Sequence, residues 1–184
     1  MRPESTWTPP SEFCPRPHHW HAVDSMSTEA EVSEMVGGLV RGLQPELAVE
    51  VGCGWGVTTE HLGRAVQRNG HGRVLAIDVV PDFVSAASLR CAGLPVDVRL
   101  ADAATWDPPV GIDFLFMDGG EVVDRPRYFA HLRPRMRKGS VAVFHDAAPH
   151  HGLHVLLDGM RAAGLIERYI VLRSPRGLCV AEVG

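Results

Sequence analysis

Short unbroken apolar runs recur along the chain and alternate with stretches in which apolar residues return every three or four positions. Runs of four or five apolar residues bounded by turn residues are typical of strands that a parallel sheet buries on both faces. Three- and four-residue spacing is typical of helices with one apolar face. The predicted strands are 47–51, 74–77, 96–100, 113–117, 141–144, 169–172 and 178–181. The chain is therefore predicted to be an α/β domain.

The first helix is predicted to begin at a capping box. Thr28 and Glu31 have the spacing of a capping residue and its reciprocal partner. Val32, Val36 and Val40 then follow at helical intervals. Further helices are predicted at 58–67, 81–91, 124–133 and 153–163. Because helices separate most of the strands, those strands are expected to be parallel.

The last two predicted strands are joined by the short turn 174–177. Two strands joined by a tight turn must be antiparallel neighbours. The sheet is therefore predicted to be mostly parallel and to end in a C-terminal antiparallel hairpin.

A glycine-rich loop follows the first strand and is the main candidate for ligand binding. Gly52, Gly54 and Gly56 alternate with other residues, and Glu50 precedes them by two positions. The dinucleotide pattern G-x-G-x-x-G does not match, because position 57 is Val. Glycines in such a loop let backbone N–H groups approach a bound molecule, and the following helix directs its positive end there. A glycine-rich turn without a ligand is the alternative interpretation.

The stretch from Glu50 to Gly56 resembles motif I of class I S-adenosylmethionine-dependent methyltransferases. The resemblance covers about residues 27–184 and implies a Rossmann-like seven-stranded sheet with helices on both faces. It also implies that S-adenosylmethionine is the cofactor. The expected cofactor-binding residues are Glu50, Gly52, Cys53, Gly54, Gly56, Asp78, Asp102 and Ala103. Asp78 ends the second strand, where a carboxylate can bind ribose hydroxyls. Asp102 matches the position that binds adenine in the family. The alternative is that Asp102 only caps its loop.

Two acidic residues, Asp118 and Asp146, follow the fourth and fifth predicted strands. Carboxylates that converge on one point repel each other unless a proton or a cation lies between them. Their oxygen atoms suit Mg²⁺ or Mn²⁺, and a bound ion can lower the pKa of a substrate hydroxyl. His145 is the candidate general base or third metal ligand, or else a residue that only orients Asp146. Asp118 and His145 are thus the expected catalytic residues.

These segments resemble small-molecule O-methyltransferases of the catechol, macrolide-sugar and cephalosporin-pathway type. The shared features are Asp118-Gly119 and His145-Asp146. After the shared Asp-Gly, many relatives continue with Asp-His, whereas this chain has Gly120-Glu121. In the catechol enzymes a catalytic lysine stands at the position that Glu121 occupies here. The resemblance therefore implies neither a lysine base nor a secure metal requirement.

Residues 1–26 differ in composition from the rest of the chain. They are rich in proline yet carry Trp7, Phe13, Trp20 and a histidine cluster at 18–21. Proline excludes regular helix, whereas disordered tails are poor in aromatic residues. We expect an N-terminal arm that packs on the methyltransferase domain of residues 27–184 and covers its site, with a plain tail as the alternative for the first dozen residues.

The composition limits the kinds of partner that the chain is expected to bind. The formal net charge of −4 argues against bulk nucleic-acid binding. The four cysteines are scattered and no apolar run has membrane-spanning length, so a cytoplasmic protein without membrane partners is expected. The expected partners are a small-molecule substrate and, at most, a second copy of the chain.

The preferred hypothesis is metal-assisted O-methylation of a small molecule. The alternatives are metal-independent N- or O-methylation with a histidine base, and a non-catalytic S-adenosylmethionine-binding regulatory protein. An NAD-dependent oxidoreductase is disfavoured by the glycine spacing.

Overall fold

The computed structural model describes residues 4–5 and 8–184 of the chain. The strands in these residues are β1 (Glu4–Ser5), β2 (His21–Ala22), β3 (Leu47–Val51), β4 (Arg73–Asp78), β5 (Val96–Leu100), β6 (Ile112–Met117), β7 (Met136–His145), β8 (Arg168–Leu172) and β9 (Leu178–Glu182). The α-helices are α1 (Ala30–Leu43), α2 (Val57–Asn69), α3 (Pro81–Arg90), α4 (Arg125–Leu132) and α5 (Leu153–Ala162).

The seven strands from β3 to β9 form one sheet in the order β5-β4-β3-β6-β7-β9-β8. β3 to β7 pair in parallel, and β9 is antiparallel to both β7 and β8. The predicted fold class and the terminal hairpin are confirmed. The chain moves outward from β3 to β5 and then returns to the other side of β3 as β6. Open α/β sheets bind ligands at such a reversal, beyond the carboxyl ends of the strands.

Helices cover both faces of the sheet because the central strands are apolar on both sides. Along β6, Leu115 and Met117 are part of a core cluster that includes residues of α4 and α5. Phe114 and Phe116 face the opposite way, into a cluster with residues of α1 and α2. All four side chains are fully buried. This two-sided burial explains why the strand sequences show unbroken apolar runs.

The predicted capping box is wrong, although helix α1 forms where expected. Glu29 is the capping residue of α1, and its side chain makes no capping hydrogen bond. The Thr28 hydroxyl donates instead to Asp118 Oδ2, at 2.5 Å. Glu31 accepts hydrogen bonds from the backbone and the ring of His21. Partners farther away along the chain have replaced the local bonds that the sequence favours.

The N-terminal segment folds back against the domain. β1 pairs with β2 in an antiparallel ladder, and Trp20 packs against the core cluster of α1 and α2. Residues 1–3, 6 and 7, including the Trp7 of the predicted arm, lie outside the described residues. Among the helices described, none combines the length and the apolar character needed to cross a membrane.

Candidate functional site

The three glycines after β3 have different structural roles. All have positive φ, at 87°, 47° and 78° for Gly52, Gly54 and Gly56. A Cβ on Gly52 would lie 2.4 Å from Gly119 Cα, and one on Gly56 would lie 2.7 Å from Ala87 Cα. Of the residues that the structure describes, none has an atom within 4 Å of a Cβ on Gly54. Gly52 and Gly56 are therefore required by backbone packing, whereas Gly54 leaves open space in the wall of a cavity that it lines.

Glu50 lies directly below this loop and is 1% exposed. Its Oε2 atom is buried without a hydrogen-bond partner among the described residues. Burial, together with the nearby charges of Asp118 and Asp78, raises the pKa of Glu50 to about 8. A buried acceptor without a donor is costly. A ligand that brings a donor or a positive charge to Oε2 would relieve that cost.

Asp78 ends β4 beside the glycine loop. Its Oδ2 accepts the Gly54 N–H at 3.0 Å and its Oδ1 accepts the Val80 N–H at 3.0 Å. Asp102 is exposed in the loop after β5, and its Oδ1 accepts the Ala104 N–H. Ala103 beside it is buried. The side chain of Asp102 thus caps its loop, and its other oxygen is available to a ligand.

One cavity of about 960 Å³ joins these groups. Of the eight residues that the sequence assigned to cofactor binding, Gly56 alone does not line it. The far wall is formed by charged groups at the ends of β6 and β7, among them Asp118 and Asp146. The volume lies within the range of small-molecule sites.

The structure brings together the three residues predicted to bind a metal. Asp118, His145 and Asp146 each offer a ligand atom within 4.8 Å of the others. His145 is fully buried: its Nδ1 lies 2.9 Å from Asp118 Oδ1 and its Nε2 lies 2.7 Å from Glu29 Oε2. Burial alone would lower the pKa of His145, but the Asp118 charge and the hydrogen bonds to both carboxylates outweigh it and raise the pKa to about 10. His145 is thus a protonated imidazolium that donates from both nitrogens.

Two arginines bind Asp146. Arg125, at the start of α4, donates from Nη2 to Asp146 Oδ2 at 2.7 Å and also to the backbone carbonyls of Asp118 and His145. Arg176, in the turn between β8 and β9, donates from Nε to Asp146 Oδ1 at 2.6 Å. Burial alone would raise the pKa of Asp146, but the charges of His145, Arg176 and Arg125 hold it well below its usual range.

All five residues of the segment 24–28 line the cavity. Asp24 Oδ2 accepts the Trp55 indole N–H at 3.0 Å on the glycine-loop side. At the other end Arg176 Nη1 donates to the carbonyls of Met26 and Ser27, at 3.3 and 3.4 Å. The segment lines the large cavity on one side and a smaller one, of about 300 Å³, on the other.

Sequence reasoning missed four residues of this site: Thr28, Glu29, Arg125 and Arg176. The capping pattern predicts local bonds for Thr28 and Glu31, and no motif in the sequence marks Glu29. The position of Arg125 before Pro126 indicated a helix start and nothing about charge pairing. Arg176 sits in the predicted hairpin turn, and a charged residue in a turn is usually solvated.

The comparisons with known proteins agree with this architecture. A family model described as a methyltransferase domain matches residues 49–147. The solved O-methyltransferase TomG from Streptomyces achromogenes, in complex with SAM, has 22% identity and a TM-score of 0.69 over 86% of this chain and 82% of that chain. The O-methyltransferase from Bacillus cereus in complex with SAH has 18% identity and a TM-score of 0.73 over 88% and 84%. CalS10, an amino pentose methyltransferase from Micromonospora echinaspora, has 15% identity and a TM-score of 0.62 over 84% and 91%. No curated protein matches the chain significantly.

Proposed function

The chain belongs to the methyltransferase-domain family, and from that premise we propose that it transfers the methyl group of S-adenosylmethionine to an oxygen atom of a small molecule. One observation carries the proposal. A single cavity joins Gly52 and Gly54, here called the glycine cradle, to the charged residues at the ends of β6 and β7. It also reaches Glu50, whose Oε2 atom has no hydrogen-bond partner in the described part of the chain. Donor and acceptor can therefore meet at the reversal point of the sheet.

The residues of the cradle fit the cofactor. Gly54 leaves space beside the backbone, and Glu50 Oε2 offers a buried acceptor to the ammonium group of the methionyl part. The positive charge would also bring the pKa of Glu50 down from about 8. We assign the ribose hydroxyls to Asp78 and the adenine to Asp102 and Ala103, which line the same cavity.

When bound, S-adenosylmethionine supplies a methyl group on a positively charged sulfur. The chain has to exclude water and align the acceptor oxygen with that methyl group. We assign Asp118 to the acceptor, because its carboxylate lines the cavity and can accept a hydrogen bond from an acceptor hydroxyl. His145 lies behind Asp118 and already donates from both nitrogens. We therefore assign His145 as a positioning residue and not as the general base.

Metal assistance has one argument in its favour, the grouping of Asp118, His145 and Asp146. In this arrangement, however, the ligand atoms do not fit a divalent ion. Each of the four carboxylate oxygens accepts a hydrogen bond from Thr28, His145, Arg125 or Arg176. No step of the proposed reaction therefore passes through Mg²⁺ or Mn²⁺.

We also assign residues 1–26 as a cover over the acceptor. The bonds from Asp24 to Trp55 and from Arg176 to Met26 and Ser27 support this role. The cytoplasmic location and the second copy of the chain stay predictions.

The cofactor assignment is tested by calorimetry with S-adenosylhomocysteine. Gly54→Leu fills the open wall of the cradle and should abolish binding while the fold survives. Gly139→Leu is the matched control, because Gly139 also has positive φ, at 76°, and open space around its Cβ position. Equal affinity of the Gly54 variant and the control would contradict the site.

Transfer itself is tested with labelled S-adenosylmethionine and a panel of phenols, sugar hydroxyls and amines. Labelled product from hydroxyl compounds supports O-methylation, whereas label only on amines would redirect the assignment to nitrogen. Cofactor binding without transfer to any compound of a broad panel would favour the regulatory alternative.

A further inference from the structure

We propose that Arg125 and Arg176 take the place of a divalent cation at the ends of β6 and β7, so that the native chain has no divalent-cation site there and removal of Arg176 creates one. The inference deepens the proposed function, on which it rests, because it concerns the same methyl-transfer site. It follows from how the carboxylates of that site are bonded.

Two arginines already supply fixed positive charge to the buried carboxylates of Glu29, Asp118 and Asp146. Arg125 Nη2 lies 2.7 Å from Asp146 Oδ2 and 3.6 Å from Asp118 Oδ1, and Arg176 Nε lies 2.6 Å from Asp146 Oδ1. A divalent ion placed beside these guanidinium groups would be repelled by them, in a region where solvent screens charges weakly.

Every carboxylate oxygen of Asp118 and Asp146 already accepts a hydrogen bond. Both oxygens of Asp146 hold guanidinium groups, at 2.6 and 2.7 Å. Asp118 Oδ1 is bonded to the His145 ring and its Oδ2 to the Thr28 hydroxyl. An ion that bridged Asp118 and Asp146 would lie against at least one guanidinium group, whose positive charge repels it.

The two arginines differ in how readily they can be removed. Arg125 is 2% exposed and also satisfies the backbone carbonyls of Asp118 and His145, so its loss would leave buried acceptors unpaired. The side chain of Arg176 is 19% exposed and borders both cavities. Its removal takes the hydrogen-bond donor and one fixed positive charge away from Asp146 Oδ1, and Asp146 lines the larger cavity. An oxygen ligand, a negative charge and access to water are what Mn²⁺ requires.

The test measures Mn²⁺ binding by electron paramagnetic resonance, in which bound ion loses the sharp signal of the free ion. We expect the wild-type chain to bind Mn²⁺ no better than Arg173→Ala, a control that removes an exposed arginine from the same hairpin. Arg176→Ala should bind Mn²⁺ about tenfold or more tightly than either. Arg176→Lys keeps the charge and should show no gain. The double variant Arg176→Ala/Asp146→Asn should lose the gain.

Two results would overturn the inference. The first is stoichiometric Mn²⁺ binding by the wild-type chain, or a divalent metal retained in purified protein by elemental analysis; this measurement needs no variant to fold. The second is an Arg176→Ala variant that is folded, as verified by circular dichroism, but binds Mn²⁺ no more tightly than the wild type. S-adenosylhomocysteine calorimetry on the same samples tests the proposed function separately. A wild-type chain that does not bind S-adenosylhomocysteine would contradict the proposed function, whereas the Mn²⁺ measurements would still decide the inference about the arginines.

Discussion

Replacing Glu29 by glutamine tests the buried charge cluster most directly. Glu29 is fully buried. Its Oε2 accepts a hydrogen bond from His145 Nε2 at 2.7 Å, and its Oε1 accepts one from the backbone N–H of Arg176 at 3.0 Å. Glutamine has nearly the same shape but removes the negative charge. The imidazolium then loses one of the two carboxylates that hold its proton, while Asp118 still faces the other ring nitrogen.

The expected destabilisation can be bounded in two ways. Breaking a buried ion pair by removing one partner costs about 3–5 kcal/mol. The rise in the pKa of His145 from 6.5 to about 10 corresponds to about 5 kcal/mol in total. Several acids share that total, so Glu29 accounts for a part of it. We therefore expect a loss of about 3 kcal/mol in the free energy of unfolding. For a chain of this length that lowers the melting temperature by roughly 6–12 °C.

The pH dependence has a definite sign. The raised pKa of His145 contributes stability that is complete below its unfolded value of 6.5 and is lost as pH rises towards about 10. The lowered pKa of Glu29 contributes stability that is complete above 4.5 and is lost as pH falls below that value. The difference between wild type and Glu29→Gln should therefore be largest between pH 4.5 and 6.5 and should shrink towards pH 10.

Urea unfolding followed by circular dichroism measures this difference, and Glu34→Gln is the control because Glu34 is exposed on the same helix. We expect Glu34→Gln to stay within about 0.5 kcal/mol of wild type. A Glu29 variant as stable as that control, or a difference that grows from pH 6 to pH 10, would refute the assignment of a buried imidazolium held by Glu29.

Three further predictions concern the cover and the turn that places Arg176. Deleting residues 1–22 should weaken turnover of any accepted substrate far more than S-adenosylhomocysteine binding, and unchanged turnover would reduce the arm to a tail. Trp55→Phe removes the indole donor to Asp24 and should speed cofactor dissociation in stopped-flow measurements; an unchanged rate would separate segment 24–28 from cofactor retention. Gly177→Ala places a Cβ 2.1 Å from Ala148 N and should lower stability well beyond the cost at Gly139→Ala, whose surroundings are open, so equal melting temperatures would contradict the packing of this turn.

The sequence alone determined the architecture and the position of the glycine loop in the candidate site. The apolar runs located every strand of the main sheet, because burial on both faces leaves a local signature that needs no knowledge of partners. The glycine spacing after β3 located the cradle for a similar reason, since positive φ and close backbone approach restrict those positions to glycine. The convergence of Asp118 and Asp146 followed from strand order, because parallel strands end at one edge.

Only the tertiary structure decided what those carboxylates are bonded to. Glu29 and His145 are 116 positions apart, and the Glu29 contact with Arg176 spans 147 positions. Patterns of three or four residues carry no information about such pairs. The failed capping box shows the same limit, because Thr28 has the right type and spacing for a local bond but meets the stronger acceptor Asp118 in the folded chain.

The sequence thus required compensating positive charge near Asp118 and Asp146 without indicating its source. A divalent ion, a proton and an arginine satisfy the same electrostatic requirement. The choice depends on which side chains the hairpin turn and the start of α4 place within hydrogen-bond distance. In this fold those side chains are Arg176 and Arg125, at 2.6 and 2.7 Å from the Asp146 oxygens.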